Sequence, residues 1–276
     1  QAIVDGSRAS ANEYSFSAVL KRDGQFICGG SIIDEMHVVT AASCIIQRTD
    51  TELEKNIRPL QVVVGSNNYN DPAAKTIDVI KVQIPNVYLS TKRVSGIILG
   101  DIAVLTLNEK LDLRVTNPTL SKLFLPEDDM TYESLDCTFV GSGWDSVTDR
   151  VDLDTNEIVR DGQSSGTRRV VQSRTVNDFE CGQEFFDQFD HRYHFCASIT
   201  QKSSSQGVCT GDRGGPLVYD GDTLIGVLID FDEDCDTFGK VERYTKVLRH
   251  KKFINTAKSE RYSREIRVIL IPIAKN

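Results

Sequence analysis

The chain has 276 residues, of which 39% are hydrophobic, and it carries a formal net charge of −8 at pH 7. A chain of this size and composition can bury one large β core or two smaller ones, and no stretch of it approaches the roughly 18 apolar residues that a membrane-spanning helix needs. The acidic charge argues against nucleic acid, heparin and anionic membranes as general partners, because these polyanions attract basic surfaces.

Short β-rich runs separated by turn residues recur along the chain. They include residues 60–64, 76–84, 102–107 and 224–229. Runs of this length and spacing are typical of an all-β barrel or sandwich. Helical signal is scarce until residues 245–258, and the chain contains no internal repeat and no low-complexity segment.

The seven cysteines indicate an oxidising compartment and leave one cysteine over after pairing. The sequence opens at Gln1 without a visible signal or transit peptide, as expected of a mature or trimmed product. We therefore expect a secreted, extracellular protein.

Four blocks of sequence resemble the trypsin/chymotrypsin family of serine proteases and occur in that family's order. Residues 26–33 read FICGGSII, residues 100–105 read GDIAVL, residues 141–144 read GSGW and residues 244–247 read YTKV. The resemblance covers roughly residues 3–255. The chain is identified as a homologue of this family.

This resemblance implies an all-β fold of two Greek-key six-stranded barrels with a short C-terminal helix. The N-terminal barrel is expected at about residues 16–110 and the C-terminal barrel at about residues 120–245, joined near residues 108–126. The protease-like domain then occupies residues 1–260, and residues 261–276 form a C-terminal extension.

Two segments depart from the usual length in this family. Residues 145–166, rich in Asp, Gly, Ser and Thr, are expected to form an exposed, mobile loop beside the cleft. The extension is strongly apolar from Ile266 to Ile273. Because an apolar run of this length is unfavourable in water, we expect it to pack against the chain's own barrels, with packing against a partner protein as the alternative.

The resemblance places unsuitable residues at two catalytic positions. Ser43 stands where the general-base histidine is expected, Arg213 stands where the nucleophilic serine is expected, and Asp101 keeps the place of the orienting acid. The Ser43 hydroxyl is not a useful base at neutral pH. The Arg213 guanidinium is permanently protonated and has no lone pair to offer. We therefore expect a catalytically inactive homologue, a pseudoprotease, with no cofactor and no metal.

None of the four histidines is predicted to replace the missing base. His37 lies in the strand that leads to Ser43, where relatives usually have Trp, and is expected to be a packing or surface residue. His191 and His194 have i, i+3 spacing but lack a matching Cys or His pair for a metal site.

The substrate pocket also departs from the family pattern. The resemblance assigns Ile229, Asp230 and Phe231 to the strand that lines the pocket, and Gly207 to its floor. Phe231 and Glu242 stand where pocket glycines are usual, so the pocket is expected to be closed and peptide docking along the strand is placed in doubt.

Arg213 introduces a cation into this cleft. An unpaired buried charge is costly. We expect Arg213 to form an ion pair with Asp101, Asp230 or Glu242, with a solvent-facing Arg213 as the alternative.

The oxyanion loop corresponds to Gly211 and Asp212. In active relatives this aspartate binds the α-amino group of a freed isoleucine, which corresponds to Ile3 here. Gln1 and Ala2 precede Ile3, so Asp212 either finds another donor or leaves the pocket region loosely ordered.

The family's disulfide pattern implies three bonds and one free thiol. It pairs Cys28 with Cys44, Cys181 with Cys196 and Cys209 with Cys235. Cys137 remains, because its usual partner position holds Tyr219. A buried, inert Cys137 is expected in a monomer, and a Cys137-linked dimer is the alternative.

Inactive homologues of this family often act as binding proteins. The resemblance implies a regulator or decoy in an extracellular proteolytic or immune cascade, whose partner is a protease, zymogen, inhibitor or immune recognition protein. The inactivated protease paralogues of parasitic mites are one group to which the chain is similar, and no motif assigns it to that group. A structural or glycan-binding component is the alternative, and a residual hydrolase is the third.

Overall fold

The computed structural model describes residues 3, 6–10, 12–46, 58–94, 97–114, 116–151, 158–200, 207–232, 235, 240–259 and 263–273. Within these residues the chain is mostly β-strand. The strands in chain order are β1 (Ser7–Arg8), β2 (Ser17–Arg22), β3 (Gln25–Ile32), β4 (His37–Thr40), β5 (Leu60–Val64), β6 (Lys75–Pro85), β7 (Ala103–Leu107), β8 (Asp136–Gly141), β9 (Ser146–Val151), β10 (Ile158–Gln163), β11 (Arg169–Thr175), β12 (His194–Ile199), β13 (Pro216–Tyr219), β14 (Thr223–Asp230), β15 (Glu242–Lys246) and β16 (Ile266–Leu270). The helices are α1 (Asn86–Val94), α2 (Asp178–Phe185) and α3 (Val247–Lys258), and Ala42–Cys44 and Phe186–Gln188 are short 3₁₀ helices.

The N-terminal barrel consists of six antiparallel strands in the order β6-β5-β2-β3-β4-β7. It closes because the long strand β6 pairs with β5 through its first half and with β7 through its second half. Valine, isoleucine and leucine side chains from these strands fill the interior, as β-branched residues on a curved sheet do.

The C-terminal barrel has the same design, with the order β11-β12-β15-β14-β13-β8 and closure between β8 and β11. The short strand β1 adds to the outer edge of β11. The expected pair of six-stranded barrels with a C-terminal helix is therefore confirmed.

A buried arginine joins the two barrels. Arg168 immediately precedes β11, and its guanidinium donates hydrogen bonds to the backbone carbonyls of Glu13, Ser17 and Ser66 on the N-terminal side. Its burial lowers the pKa of Arg168 to about 10. The hydrophobic core is also continuous between the barrels, since Val227 and Ile229 of β14 belong to the same cluster as the N-terminal strands. These contacts fix the cleft between the barrels.

Two helices are present that the sequence analysis did not predict. The terminal helix α3 runs from Val247 to Lys258, close to the predicted range, but α1 and α2 lie in segments without a clear helical pattern. A start signal for α2 is nevertheless present in the sequence. The Asn177 side chain accepts a hydrogen bond from the Glu180 backbone amide at 2.9 Å, which makes Asn177 the N-cap of α2. The Asn177 side-chain amide also donates to the Glu180 carboxylate.

The segment at residues 145–166, which was expected to form an exposed, mobile loop, contains an antiparallel hairpin at residues 146–151 and 158–163. Strands β9 and β10 pair in continuous register from Ser146–Gln163 to Val151–Ile158. Gly162 lies flat against the Trp144 indole, where a Cβ atom would approach to 1.9 Å from the ring. This contact anchors the base of the hairpin. Residues 152–157 lie outside the described residues.

The C-terminal extension adds a strand to the N-terminal barrel. Strand β16 pairs antiparallel with the second half of β6, from Ile266 opposite Pro85 to Leu270 opposite Lys81. Ile269 and Ile271 pack into the N-terminal core. The tail therefore packs against the chain's own barrel, which was the first of the two alternatives.

All three disulfides implied by the family pattern are present. They join Cys28 to Cys44, Cys181 to Cys196 and Cys209 to Cys235. Cys137 in β8 is a free, buried thiol, and burial raises its pKa to about 12. A buried thiol that stays protonated is poorly placed to form a bond with a second molecule.

Tyr219 lies directly opposite Cys137 in the pairing of β13 with β8. Directly opposed residues in an antiparallel pair have the separation that a disulfide requires. We expect Tyr219→Cys to form a fourth disulfide with Cys137. Closing a loop of about 80 residues stabilises by about 4 kcal/mol in the chain-entropy model, and the lost contacts of the half-buried tyrosine reduce the gain to about 2 kcal/mol.

Thermal unfolding with and without reductant measures this gain, and a count of free thiols shows whether the bond has formed. The double variant Cys137→Ser/Tyr219→Cys is the control, because it carries the same loss of tyrosine without a bonding partner. Two reactive thiols in the oxidised single variant would contradict the register of β8 and β13.

Candidate functional site

The three residues expected at the catalytic positions converge on the cleft between the barrels. Ser43 lies in the 3₁₀ helix after β4, Asp101 lies before β7, and Arg213 lies in the loop that precedes β13. The Ser43 backbone N–H donates to Asp101 Oδ1 at 2.8 Å. The Arg213 carbonyl accepts a hydrogen bond from the Gly29 amide at 2.8 Å. The structure thus brings the predicted positions together.

Asp101 is a buried carboxylate, with 4% of its surface exposed. Loss of solvation raises the pKa of Asp101, while hydrogen bonds from Ser43 and the positive charge of Arg213 act in the opposite direction. The backbone carbonyl of Asp101 accepts a hydrogen bond from Thr245 Oγ1 at 2.8 Å, which ties this position to the C-terminal barrel. The carboxylate therefore occupies a fixed position that now faces a serine.

The Arg213 guanidinium makes a different contact from the one predicted. Its Nη1 donates to the backbone carbonyl of Ile229, and its Cζ lies 5.8 Å from the centre of the Phe231 ring. Within the described part of the chain, no carboxylate oxygen lies within 4 Å of the guanidinium. Among the described residues, Arg213 therefore does not form the predicted ion pair with Asp101, Asp230 or Glu242, and that prediction is wrong.

Arg243 explains why Asp230 does not pair with Arg213. Arg243 stands opposite Asp230 in the register of β14 and β15, and its Nη2 lies 2.7 Å from Asp230 Oδ2. The same guanidinium donates to the Gln188 carbonyl and lies 4.8 Å from the centre of the Phe185 ring. Arg243 was not among the predicted site residues, because the cross-strand register that places it opposite Asp230 is not visible in a single sequence.

The expected pocket residues lie on β14, on β15 and in the adjoining loops. Ile229 is buried, Glu242 is fully buried at the start of β15, and Gly207 is buried in the loop before the Cys209–Cys235 disulfide. Phe231 is half-buried and packs against the core of the C-terminal barrel. Burial raises the pKa of Tyr244, and the negative charge of the neighbouring Glu242 acts in the same direction.

Asp212 is fully buried and is bound by backbone amides. Its Oδ1 accepts the Gly143 N–H at 2.8 Å, and its Oδ2 accepts the Cys209 N–H at 2.9 Å. The amides of Ile3 and Ser142 also stabilise the carboxylate. Of the two alternatives for Asp212, the structure therefore has the one in which other donors replace an α-ammonium group. Loss of solvation outweighs these donors and raises the pKa of Asp212 to about 6.

The oxyanion loop contains a glycine in the left-handed region of backbone conformation. Gly211 has φ +96°, which favours glycine, and a Cβ atom there would approach the Phe26 ring to 2.3 Å. Among the described residues, neither the Gly211 nor the Arg213 N–H donates a hydrogen bond to another backbone group.

Two of the histidines, His37 and His194, are buried in strands. His37 is buried in β4, where its Nδ1 lies 2.8 Å from Asp34 Oδ1. His194 is buried at the start of β12, and loss of solvation lowers its pKa to about 4. Over the described ranges, no group of three or more His, Cys, Asp or Glu side chains has a metal-binding arrangement.

Comparison with known proteins agrees with the two-barrel architecture. The family model described as Trypsin matches residues 3–254. The chain belongs to the trypsin family. Trypsin-3 from Salmo salar is 27% identical to it over 262 residues, which is 93% of each protein.

Solved structures show the same fold. Mouse neuropsin, a serine protease expressed in the limbic system of the brain, superimposes with a TM-score of 0.74 at 20% identity, over 93% of this chain and 100% of neuropsin. Human heparin binding protein superimposes with a TM-score of 0.70 at 21% identity, over 94% of this chain and 98% of that protein. No helix in the described part of this trypsin homologue is long and apolar enough to cross a membrane.

The buried Asp212 carboxyl predicts a specific dependence of stability on pH. Its pKa of about 6 in the folded chain lies above the value of about 3.9 in an unfolded chain. Between about pH 4 and pH 6 the folded chain therefore holds a proton that the unfolded chain has lost, so this group's contribution to stability falls as pH rises. The expected loss is about 3 kcal/mol across that window.

Urea unfolding from pH 4 to pH 7 gives the free energies of unfolding of the wild type and of Asp212→Asn. The difference between the two measures the contribution of Asp212, and we expect it to fall as pH rises. The subtraction is necessary because His194 and His250 have lowered pKa values and favour the opposite pH trend. A difference that stays constant or increases with pH would show that the amides, rather than loss of solvation, dominate at Asp212.

Proposed function

We propose that this trypsin homologue is a secreted, non-catalytic binding protein that acts as a regulator of, or a decoy for, a partner protein in an extracellular proteolytic or immune cascade. The observation that carries the proposal is the pair Ser43 and Arg213 at the positions of the general base and the nucleophile. The three disulfides support an oxidising, extracellular location. The inactivated protease paralogues of parasitic mites have a comparable role, because they interfere with host defence.

The chemistry of acyl transfer supports inactivity. A serine hydroxyl becomes an effective nucleophile only when an adjacent imidazole takes its proton and a carboxylate orients that imidazole. Here Asp101 binds the Ser43 amide, and Arg213 presents a cation instead of a hydroxyl. Loss of such a triad lowers kcat by about a million-fold and leaves about 10³ to 10⁴ over the rate in water.

The contacts of Arg213 also support a closed substrate path. The guanidinium binds the Ile229 carbonyl on β14, the strand along which relatives bind the substrate backbone. A peptide that adds to this edge needs the same carbonyl as an acceptor. Phe231 and Glu242, which replace pocket glycines, are half-buried and fully buried. A partner is therefore expected to bind outside the former substrate path.

A glycan-binding role is less well supported. Human heparin binding protein shares the fold, and its name states that it binds heparin. The net charge of −8 on the present chain opposes binding of a polyanion such as heparin. Protein partners therefore fit the charge of this chain better.

A serine-directed fluorophosphonate probe tests the proposal. We expect no covalent adduct in the intact mass of the wild type under conditions that label bovine trypsin completely. The wild type and Arg213→Ala are expected to have equal, background rates of ester and amide hydrolysis, because Arg213 performs no step of the reaction.

Arg213→Lys is the matched control, since it keeps a cation at this position without the planar guanidinium. Stoichiometric labelling of the wild type, together with hydrolysis that Asp101→Asn abolishes, would overturn the proposal.

A further inference from the structure

The outer edge of β6 pairs with the C-terminal strand β16. Residues 81–83 pair with β7 on one edge of β6 and with β16 on the other. The Ile271 amide donates to the Ile80 carbonyl at 3.0 Å, and the Asn86 amide donates to the Glu265 carbonyl at 2.8 Å. We call this edge of β6, from Ile80 to Asn86, the strand-binding edge. In the described part of the chain, β16 is the outermost strand of its sheet.

The N-terminal barrel is closed without β16. Its closure comes from the pairing of β6 with β5 through residues 75–78 and with β7 through residues 79–83. The preceding helix α3 is buried through side chains of its own, which are Val247, Ile254 and Ala257. The strand-binding edge therefore keeps its shape when β16 separates from it.

Few side chains hold β16 in place. Ile269 and Ile271 pack into the N-terminal core. Val268 and Leu270 lie on the other side of the strand, because side chains alternate, and are 47% and 72% exposed. No cysteine occurs after Cys235, so no disulfide ties this tail to the barrel. Segments with few buried apolar contacts open at a lower free-energy cost than the whole fold, which indicates that β16 separates before the barrel unfolds.

We propose that the strand-binding edge is a peptide-binding site that the chain's own tail occupies, and that a separate extended peptide binds there when the tail separates. The ligand class is an extended segment with two aliphatic side chains two residues apart, as Ile269 and Ile271 are in the tail. Strand addition to a sheet edge is a general mode of peptide recognition, in which backbone hydrogen bonds give affinity and alternate side chains give specificity.

The covalently attached tail competes with any such peptide. Attachment gives the tail a high effective concentration at the edge, so a free peptide binds the intact chain weakly. Loss of the two packed isoleucines lowers the occupancy of the edge by the tail and raises the apparent affinity for a free peptide. The inference does not depend on whether the cleft is catalytic.

Fluorescence anisotropy of a labelled peptide with the sequence of residues 263–273 tests the proposal. The full-length variant Ile269→Ser/Ile271→Ser loses the packed side of its own tail. We expect it to bind the peptide at least roughly tenfold more tightly than the wild type does, because its tail competes less. Val268→Ser/Leu270→Ser is the matched control, since it removes two aliphatic side chains from the exposed side, and it is expected to bind the peptide like the wild type.

Methylation of single peptide nitrogens tests the register. Hydrogen-bonded pairs alternate along an antiparallel ladder. The Ile271 amide faces β6, so the Ile269 amide faces it as well, whereas the Leu270 amide between them faces away. A peptide methylated on the Ile269 nitrogen is expected to lose at least roughly tenfold in affinity for the Ile269→Ser/Ile271→Ser chain. A peptide methylated on the Leu270 nitrogen is expected to bind like the unmodified one.

Hydrogen exchange of the wild type tests the separation of β16 without any substitution. The amides of Asn86, Ile269 and Ile271 are protected by the pairing of β6 with β16. We expect them to exchange at least roughly tenfold faster than the amides that pair β6 with β7, because the tail opens before the barrel does. Circular dichroism and thermal unfolding establish that each variant used for peptide binding is folded.

Three results would overturn the inference. The first is a folded Ile269→Ser/Ile271→Ser chain that binds the peptide no better than the wild type. The second is an equal effect of methylation at the two peptide nitrogens, which shows that the peptide does not bind as a strand in this register. The third is exchange of the β16 amides only as slowly as the amides between β6 and β7.

Discussion

The buried carboxylate of Asp212 is the constraint on which the geometry of the cleft depends. It receives amide hydrogen bonds from Gly143 and Cys209 and is stabilised by the amides of Ile3 and Ser142, so three separate segments meet at one side chain. Its raised pKa shows that these donors only partly offset the loss of water. The neighbouring residues Gly211 and Arg213 are thereby held in place.

Arg213 shows how the cleft of this fold accommodates a guanidinium. Its guanidinium binds a neutral carbonyl and lies near an aromatic ring, while the adjacent carboxylates Asp101 and Asp230 have other donors. The interaction with the Ile229 carbonyl uses a backbone acceptor that a bound peptide would need. Under the proposed function, Arg213 both stands in place of the nucleophile and occupies part of the substrate path.

The large features of the fold could be predicted because the sequence blocks resemble a known family. The barrels, the disulfides and the free Cys137 follow from residues near those blocks. The contacts of Arg213 could not be predicted, because they depend on which donor stands opposite Asp230, and strand register is not visible in one sequence. Arg243 is that donor.

The β9–β10 hairpin was missed for a different reason. Its strands contain Asp, Gly, Ser and Thr, which are common in loops, and they are held by pairing and by the contact of Gly162 with Trp144. The helix α2 had a readable capping signal at Asn177 and Glu180, but its short length and the exposed Phe179 concealed the helical pattern.

The central claim is that the cleft lacks the groups needed for peptide-bond hydrolysis, and that an uncleaved N-terminus is not the cause. Amide hydrolysis by a chain that begins at Ile3 separates these two explanations, because its free α-amino group can bind Asp212 as in active relatives. The account predicts background turnover for this chain and for its Asp101→Asn variant alike. Turnover that appears on freeing Ile3 and disappears with Asp101→Asn would contradict it.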